Sequence, residues 1–191
     1  MLKKVSDKIW QISFPNFGSN IYLLEDSKTI IDTGSRENKE ELLHDLKKLN
    51  LVPSNIKKVL LTHLHFDHIG NLSLFKNAAI YASKEEIASL NKNAEGTVLA
   101  AFDSEIISEL KKIRLIPLPK SIARLKVLLT PGHSAGSVCF YMQKEKILFS
   151  GDTLFEQGIG RLDLPTSKPE KMKTSLNKLK KLKHKILCPG H

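Results

Sequence analysis

The segment 60–70, LLTHLHFDHIG, carries the strongest signal in the chain. It begins as an apolar run typical of a buried strand and ends in a row of ligand-type side chains. Three of the chain's seven histidines lie within it, at His63, His65 and His68. Residues two apart in an extended segment point the same way, so His63 and His65 can bind one ion together. Asp67 and His68 follow where we expect a turn into a helix, and they can bind a second ion nearby.

The other ligand-type residues also follow apolar strands, in loops that contain glycine. His133 and His191 each follow a Pro-Gly pair, and Asp152 follows Gly151. Loops after strands commonly carry the site residues of α/β proteins. Five histidines and two aspartates are enough for two divalent ions that share one aspartate. Burying these groups unpaired would cost roughly a few kcal/mol each, so packing alone does not explain the pattern.

Short apolar segments alternate with amphipathic ones along the chain. The patterns predict strands near 8–14, 20–25, 28–32, 57–62, 78–82, 125–130, 137–142, 146–150 and 185–188. They predict helices over 36–49, 67–76, 84–91, 103–113 and 168–183. Several neighbouring strands are joined by turn-length segments, which favours mixed sheets over a purely parallel one. The segments TIIDTGS (29–35) and ILFSGDT (147–153) share a strand followed by an aspartate beside a glycine, which indicates two similar halves.

Length and composition indicate one globular domain over residues 1–191, with 41% hydrophobic and 26% charged residues. Asp7 and Lys8 interrupt the first apolar segment, which is then too short for a signal peptide. No run approaches the ~20 apolar residues of a membrane-spanning helix, so we expect a cytoplasmic protein that does not act at a membrane. Cys139 and Cys188 show no metal-site spacing and are expected to be buried apolar residues.

The net charge of +10 is concentrated near the end of the chain. Residues 168–185 contain eight lysines and one glutamate, a net +7. Such a surface could attract nucleic acid or an anionic substrate. However, leucines recur at helical spacing between the lysines and no aromatic residues are interleaved for base stacking, so a solvated helix face is favoured. His184, within this run, and His44, on a predicted helix, are assigned no role.

The segment THLHFDH (62–68) resembles the T-H-x-H-x-D-H signature of the metallo-β-lactamase superfamily. The resemblance runs along the chain in order, through NIYLLEDSKTIIDTG (20–34), TPGHSAGSVCFY (130–141), FSGDTLF (149–155) and CPGH (188–191). It implies an α/β fold, the αββα four-layer sandwich, in which two mixed sheets are flanked by helices.

The resemblance also implies seven metal ligands, in two sets around a shared carboxylate. These are His63, His65 and His133 for the first ion, Asp67, His68 and His191 for the second, and Asp152 for both. Asp67 would in addition orient the attacking hydroxide, which makes it the expected catalytic residue. Asp32 matches an aspartate that supports a ligand without binding metal. The cofactor expected is a pair of divalent ions, with zinc preferred and iron or manganese as alternatives.

The segment GDTLFEQGIGRLDLP (151–165) resembles the glyoxalase II-like hydrolases and their persulfide dioxygenase relatives, in particular the compact members. His65 occupies a position where flavodiiron oxygen reductases carry glutamate, which argues against that branch. The expected reaction is hydrolysis of a small, anionic acyl-thiol such as S-lactoylglutathione. Arg161 matches a basic residue that contacts the thiol carrier, although an ion pair with Asp163 is an equal alternative.

Two other functions were weighed against thioester hydrolysis. A persulfide dioxygenase would hold a single iron through His63, His133 and Asp152. A non-enzymatic module would bind RNA or an acidic partner through the lysine-rich helix, with binding that falls steeply as salt rises. Both rank lower because the full set of seven ligand positions is present.

Overall fold

A computed structural model describes residues 1–16 and 18–191. Within these ranges, two β-sheets pack face to face. The first sheet contains β1 (Leu2–Ser6), β2 (Ile9–Ile12), β3 (Ile21–Leu24), β4 (Thr29–Ile31), β5 (Lys58–Leu60), β6 (Ala79–Ala82) and β7 (Leu115–Pro117). The second contains β8 (Ser121–Ile122), β9 (Leu125–Leu129), β10 (Val138–Met142), β11 (Ile147–Gly151) and β12 (Ile186–Pro189).

Helices cover the outer faces of the two sheets. They are α1 (Lys39–Lys48), α2 (Phe66–Ile69), α3 (Lys84–Lys92), α4 (Ala94–Val98), α5 (Ile106–Leu110) and α6 (Pro169–Lys180). Three short 3₁₀ turns lie at Arg36–Asn38, Pro53–Asn55 and Leu72–Phe75. In the part of the chain that is described, no helix has the length and apolar content needed to cross a bilayer.

Buried apolar residues form three clusters, and each cluster joins two adjacent layers. Between the sheets, Leu24 and Ile31 of the first meet Phe140 and Phe149 of the second. The first sheet packs its other face against helices, including Leu42 of α1. Cys139, Tyr141 and Leu148 of the second sheet pack against Leu179 of α6. This order of helix, sheet, sheet and helix confirms the predicted αββα sandwich.

Strand direction brings the functional loops to one edge of the sandwich. In the first sheet β4 and β5 are parallel, with Ile31 opposite Leu60, so Asp32 and the 62–68 segment leave the sheet together. In the second sheet β11 and β12 are parallel, so Asp152 and His191 leave it together. The other pairs of β1 to β4 and of β8 to β11 are antiparallel, which makes both sheets mixed, as predicted.

The nine predicted strands are present, but the sequence patterns missed three strands and one α-helix, and also the 3₁₀ turn at Pro53–Asn55. The elements β1 and β8 have exposed or half-exposed residues and lack the apolar run on which the prediction relied, while β7 and α4 lie in the poorly patterned stretch 92–124.

Four of the five predicted helices extend beyond the observed α-helices, and two of them differ most from the structure. The expected helix over 67–76 is broken at Gly70 and Asn71, because the Asn71 side chain donates hydrogen bonds to the carbonyls of Thr33 and Ser35. The expected helix over 103–113 is limited to α5.

The lysine-rich helix α6 buries Leu179 against the second sheet and Met172 against Gly132 in the loop after β9, whereas its lysines are exposed. This arrangement agrees with the prediction of a solvated helix face.

Candidate metal centre

The seven predicted ligand residues lie together at one edge of the sandwich. Their ligand atoms form three overlapping groups in which all atoms lie within 4.8 Å of one another. The groups are His63, His65 and His133; His63, His68 and Asp152; and Asp67, His68 and His191. His44, by contrast, is exposed on α1, where its Nδ1 lies 3.6 Å from Asp45.

The first cluster consists of three nearly inaccessible imidazoles, His63, His65 and His133, with exposed fractions of 1%, 2% and 3%. The Nδ1 atom of His65 lies 3.0 Å from Nε2 of His63 and 3.0 Å from Nε2 of His133. Two ligands about 2.0–2.1 Å from one ion at a tetrahedral angle would be only slightly farther apart, at about 3.3 Å.

Hydrogen bonds at the far side of two of these rings set their tautomers. The Thr62 hydroxyl donates to Asp32, so at 3.1 Å it accepts the proton on Nδ1 of His63. The Nδ1 of His133 lies 2.9 Å from the carbonyl oxygen of Arg161, which can only accept. Both rings therefore direct an Nε2 lone pair at His65, whose single Nδ1 can donate to one of them at a time.

The second cluster consists of Asp67, His68 and His191, and Asp152 lies between it and the first cluster. Oδ2 of Asp67 is 3.2 Å from Nε2 of His191 and 3.9 Å from Nε2 of His68. Oδ1 of Asp152 is 3.2 Å from Nε2 of His68. Its Oδ2 is 3.5 Å from His133 and 3.6 Å from His191, so one carboxylate faces ligands of both clusters.

The polar atoms left without partners support a cation at this place. Nε2 of His68 and Oδ1 of Asp152 are both buried, and neither has hydrogen-bond geometry to any described residue, although they lie 3.2 Å apart. Buried polar atoms normally have partners, so such atoms call for a ligand. Imidazole nitrogens and carboxylate oxygens are the ligands that zinc and similar divalent ions use. The residues present therefore fit a metal pair.

Asp32 holds the loop that carries most of the ligands. Its Oδ1 accepts the backbone N–H of Thr62 at 2.8 Å, and its Oδ2 accepts from the Thr62 hydroxyl at 2.7 Å and from Nδ1 of His68 at 2.9 Å. The backbone of Asp32 has a φ of 58°, in the left-handed region that non-glycine residues rarely adopt. Strain of this kind is commonly retained at functional sites, where the surrounding structure fixes it.

The segment that ends in His191 is fixed by the first sheet. The backbone N–H of Asn20 donates to the carbonyl of Gly190 at 2.7 Å. The Tyr22 hydroxyl and the Asn20 amide both donate to the carbonyl of Pro189, at 2.8 Å and 3.1 Å. Gly190 packs so closely that an added Cβ would overlap with Oδ1 of Asp152.

Burial keeps the first-cluster histidines neutral. It lowers the pKa of His63 well below its usual value, and the neighbouring imidazoles lower it further. Burial, and then the repulsion between His65 and His133 if both were protonated, lower the pKa of His65 to about 3. Burial also lowers the pKa of His133. A neutral imidazole is the form that binds metal, so these rings are ready to coordinate at neutral pH.

The second cluster has the opposite electrostatics. Burial opposes protonation of His68, but the carboxylates of Asp152, Asp32 and Asp67 outweigh it and raise the pKa of this ring well above its usual value. Burial likewise opposes ionisation of Asp67 and Asp152, yet the positive charge of His68 holds the pKa of both carboxyl groups below the usual range.

A groove of about 660 Å³ lies beside the metal centre. Its lining is mainly apolar and includes Leu99, Phe102, Leu164 and Pro165, together with Arg161. The Phe102 ring stacks on Phe66 at 5.3 Å between centroids and 13° between planes. Phe66 lies between His65 and Asp67 in the chain. The poorly patterned stretch 92–124, which contains Phe102, therefore packs beside the segment that carries these ligands.

Arg161 forms the ion pair that the sequence left as one of two alternatives. Its Nε and NH2 groups donate to the two carboxylate oxygens of Asp163 at 3.0 Å and 2.8 Å. Both side chains are largely exposed, at 67% and 69%, so the guanidinium remains accessible. Hydrogen bonding to Arg161 lowers the pKa of Asp163 to about 2.

Sequence reasoning missed three residues that contact the segment ending in His191 or its neighbour Asp152: Asn20, Tyr22 and Gly190. Tyr22 and Asn20 lie in the segment 20–34, which indicated a strand and a family resemblance but no role for these two side chains. A glycine beside His191 was visible in the sequence, but its contact with Asp152 depends on the pairing of β11 with β12.

Comparisons with known proteins agree with this geometry. The sequence profile of the metallo-beta-lactamase superfamily matches residues 15–191, which include all seven ligand-type residues. "Probable metallo-hydrolase YqgX" of Bacillus subtilis is 34% identical over 188 residues, covering 91% of this chain and 84% of the relative. "Hydroxyacylglutathione hydrolase GloC" of Haemophilus influenzae is 31% identical over 159 residues, covering 80% and 73%. The crystal structure of TTHA1623 in a di-iron-bound form has a TM-score of 0.75 and 29% identity, covering 95% and 91%.

The substitution Gly190→Ala should reduce the metal content of the purified protein from about two ions per chain towards one. The added Cβ would overlap with Oδ1 of Asp152 and lie 3.0 Å from the His68 ring, so the shared carboxylate must move. Elemental analysis after dialysis measures the effect, and circular dichroism of the metal-free variant checks that the fold is retained. Two ions bound with wild-type affinity would contradict the assignment.

Binding of the second ion at pH 7 should release about one proton more than binding of the first. The raised pKa of His68 keeps this ring protonated at neutral pH, and it must lose a proton to coordinate through Nε2. Affinity at the second cluster should therefore rise with pH until the pKa of His68 is passed, whereas the first cluster, with its lowered histidine pKa values, should show a flat response near neutral pH.

Titration calorimetry in buffers of different ionisation enthalpy counts these protons. The matched variant Asp32→Asn removes one of the carboxylates that charge His68, so it should release fewer protons with the second ion. Equal release for both ions in the wild-type protein would show that the charge of His68 has been misassigned.

Proposed function

The chain belongs to the metallo-β-lactamase superfamily as a metallo-hydrolase with a His/Asp metal-binding cluster, and we propose that it uses two metal ions to hydrolyse a small thioester, as glyoxalase II does. The observation that carries this proposal is the position of Asp152. One of its oxygens lies 3.2 Å from His68, and the other lies 3.5 Å from His133 and 3.6 Å from His191. A carboxylate that faces both clusters is suited to bridge a metal pair.

In this proposal, His63, His65 and His133 hold the first ion, Asp67, His68 and His191 hold the second, and Asp152 holds both. A divalent pair supplies Lewis acidity and makes water nucleophilic at neutral pH. The convergence of Asp67 with His68 and His191 supports two ions over the single iron of a persulfide dioxygenase. Zinc is preferred for this ligand set, and iron or manganese would also suit it.

Asp67 is the proposed catalytic residue. Its carboxylate stays ionised, because the neighbouring charge of His68 outweighs the effect of burial on its pKa. It is also more exposed than the first-cluster histidines, at 16% for its side chain. An ionised oxygen at the open side of the cluster can accept a hydrogen bond from the attacking water and hold it in line with a carbonyl carbon.

The groove beside the metal centre supports an acyl-thiol as the substrate. Leu99, Phe102 and Leu164 offer apolar contacts for a thioester arm, and Arg161 offers a cation for an anionic end. Arg161 connects the groove with the first cluster, because it lines the groove and its carbonyl oxygen accepts the hydrogen bond from His133. The similarity to relatives named hydroxyacylglutathione hydrolase, at about 31–32% identity, supports the same substrate class.

The substitutions His63→Ala and Asp152→Ala should reduce metal-dependent thioester hydrolysis to background, because each removes a ligand from the centre of the cluster. Asp67→Asn should lower kcat by about 100-fold or more, since the amide cannot accept from water as a carboxylate does. His184→Ala, in the lysine-rich run, is the control and should retain wild-type activity. The assay follows thiol release from S-lactoylglutathione and other thioesters by purified protein whose metal content has been measured.

Equal loss of activity in all four variants would show that the site is misassigned. Turnover of another ester class, with thioesters inert, would overturn the substrate while leaving the metal site in place.

The substitution Arg161→Ala should raise KM for an anionic thioester by about 3- to 5-fold and leave kcat nearly unchanged. The effect should be small because solvent screens an exposed guanidinium and weakens its attraction for an anion. Steady-state kinetics with an anionic and a neutral thioester provide the comparison. Arg124→Ala, another exposed arginine paired with an aspartate, is the matched control. The same rise in KM for the neutral thioester would contradict a direct contact with the anionic end.

A further inference from the structure

Glu86 is a buried carboxylate that the metal centre does not use as a ligand. It lies in the first turn of α3 and is 0% exposed. Three donors hydrogen-bond its side chain, and none of them is a positively charged group. Burial raises the pKa of this carboxyl group, although the hydrogen bonds from Ser134, Gly136 and Leu64 oppose the shift. An apolar residue would fill the same space at a lower desolvation cost, so packing alone does not account for a glutamate here.

The two oxygens of Glu86 bind the two loops that carry the first metal cluster. Oε2 accepts the backbone N–H of Leu64 at 3.0 Å, and Leu64 lies between His63 and His65. Oε1 accepts from the Ser134 hydroxyl at 2.7 Å and from the backbone N–H of Gly136 at 2.8 Å, just after His133.

These loops belong to different halves of the molecule. The loop with His63 and His65 follows β5 of the first sheet, whereas the loop with His133 connects β9 and β10 of the second. A single carboxylate therefore spans the boundary between the sheets, directly behind the ligands.

The helix that carries Glu86 is itself fixed against the second loop. Ser83, the N-cap of α3, donates its hydroxyl to the carbonyl of Gly136 at 2.7 Å and accepts the backbone N–H of Glu86 at 3.0 Å. The approach leaves no room for a side chain at position 136, because an added Cβ would overlap with the backbone nitrogen of Glu86. The carboxylate is thus held in place by the same contacts that it reinforces.

We propose that Glu86 is a positioning residue for the first metal ion, which sets the distance between the His63–His65 pair and His133 by binding both of their loops. Nδ1 of His65 lies 3.0 Å from Nε2 of His63 and from Nε2 of His133, and the three nitrogens must keep a spacing of this kind to share one ion. A small change in the separation of the two loops would move His133 relative to the other pair. The affinity of the first site then depends on a residue that touches neither metal nor substrate.

The substitution Glu86→Gln tests this role with little change in volume. The amide has one acceptor oxygen in place of two, so it cannot accept hydrogen bonds from both loops. We expect Zn²⁺ affinity at the first site to fall by about 10- to 100-fold, as is typical when a group that orients metal ligands is changed. Competition with a chromophoric chelator measures the affinity, and the visible spectrum of the Co²⁺-substituted protein reports the ligand geometry. Glu85→Gln, the exposed neighbour on the same helix, is the matched control and should match the wild type in both measurements.

A second pair of variants separates positioning from a general loss of stability. Leu90→Ala removes a side chain that packs from α3 against the core, so it should lower the free energy of unfolding without changing Zn²⁺ affinity. Ser134→Ala removes one donor to Glu86 and should weaken Zn²⁺ binding by about 3- to 10-fold, which keeps the test available if Glu86→Gln does not fold.

Wild-type Zn²⁺ affinity in Glu86→Gln, or in Ser134→Ala if the former does not fold, would overturn the proposal. An equal loss of affinity in Leu90→Ala would also overturn it. Because no substrate is used, these results stand whether or not thioesters are hydrolysed, so failure of the proposed reaction and failure of the positioning role can be distinguished.

Discussion

The structure depends on the convergence of seven ligand residues from two separate sheets. Each group of ligand atoms must fit within 4.8 Å, although His63 follows a strand of one sheet and Asp152 and His191 follow strands of the other. The apolar cluster between the sheets holds them face to face, and the backbone N–H of Val138 donates to the carbonyl of Thr62 at 2.9 Å, directly beside the first ligand. Fixing the edges of both sheets in this way reduces the conformational entropy that would be lost when a metal binds.

Two buried carboxylates that are not ligands hydrogen-bond to the segment 62–68 at different residues. Asp32 accepts hydrogen bonds from Thr62 and His68, and Glu86 accepts from Leu64 and from the loop of the second sheet. Each uses both oxygens and joins segments that are distant in the chain. Carboxylates suit this task because their two oxygens together accept several hydrogen bonds in fixed directions. The segment 62–68 is therefore fixed by hydrogen bonds at Thr62, at Leu64 and at His68, which restricts the movement of its ligand side chains.

The sequence predicted the cluster of candidate ligands because their chemistry is local. Imidazoles two residues apart at the end of an apolar strand already point towards a shared ion. The Pro-Gly-His and Gly-Asp loops likewise place a ligand-type residue directly after an apolar strand. Glu86 could not be found in this way. Ser83 and Glu86 have the spacing of a capping box, in which the glutamate would bond back to the helix start, and Glu85 beside it is the same residue type. Only the packing of α3 against the loop after His133 directs Glu86 to both loops.

The uneven exposure of the ligands defines the direction from which a substrate can approach. The first-cluster histidines are nearly inaccessible, whereas the Asp67 and His191 side chains are 16% and 35% exposed. On the closed side, close backbone contacts exclude other groups, as Gly190 does against Asp152. On the open side, aromatic rings flank the ligands, with Phe102 stacked on Phe66 and Phe155 at 6.2 Å from the ring of His191. The open part of the centre is therefore the second cluster, at Asp67 and His191, while the first cluster is closed off from solvent.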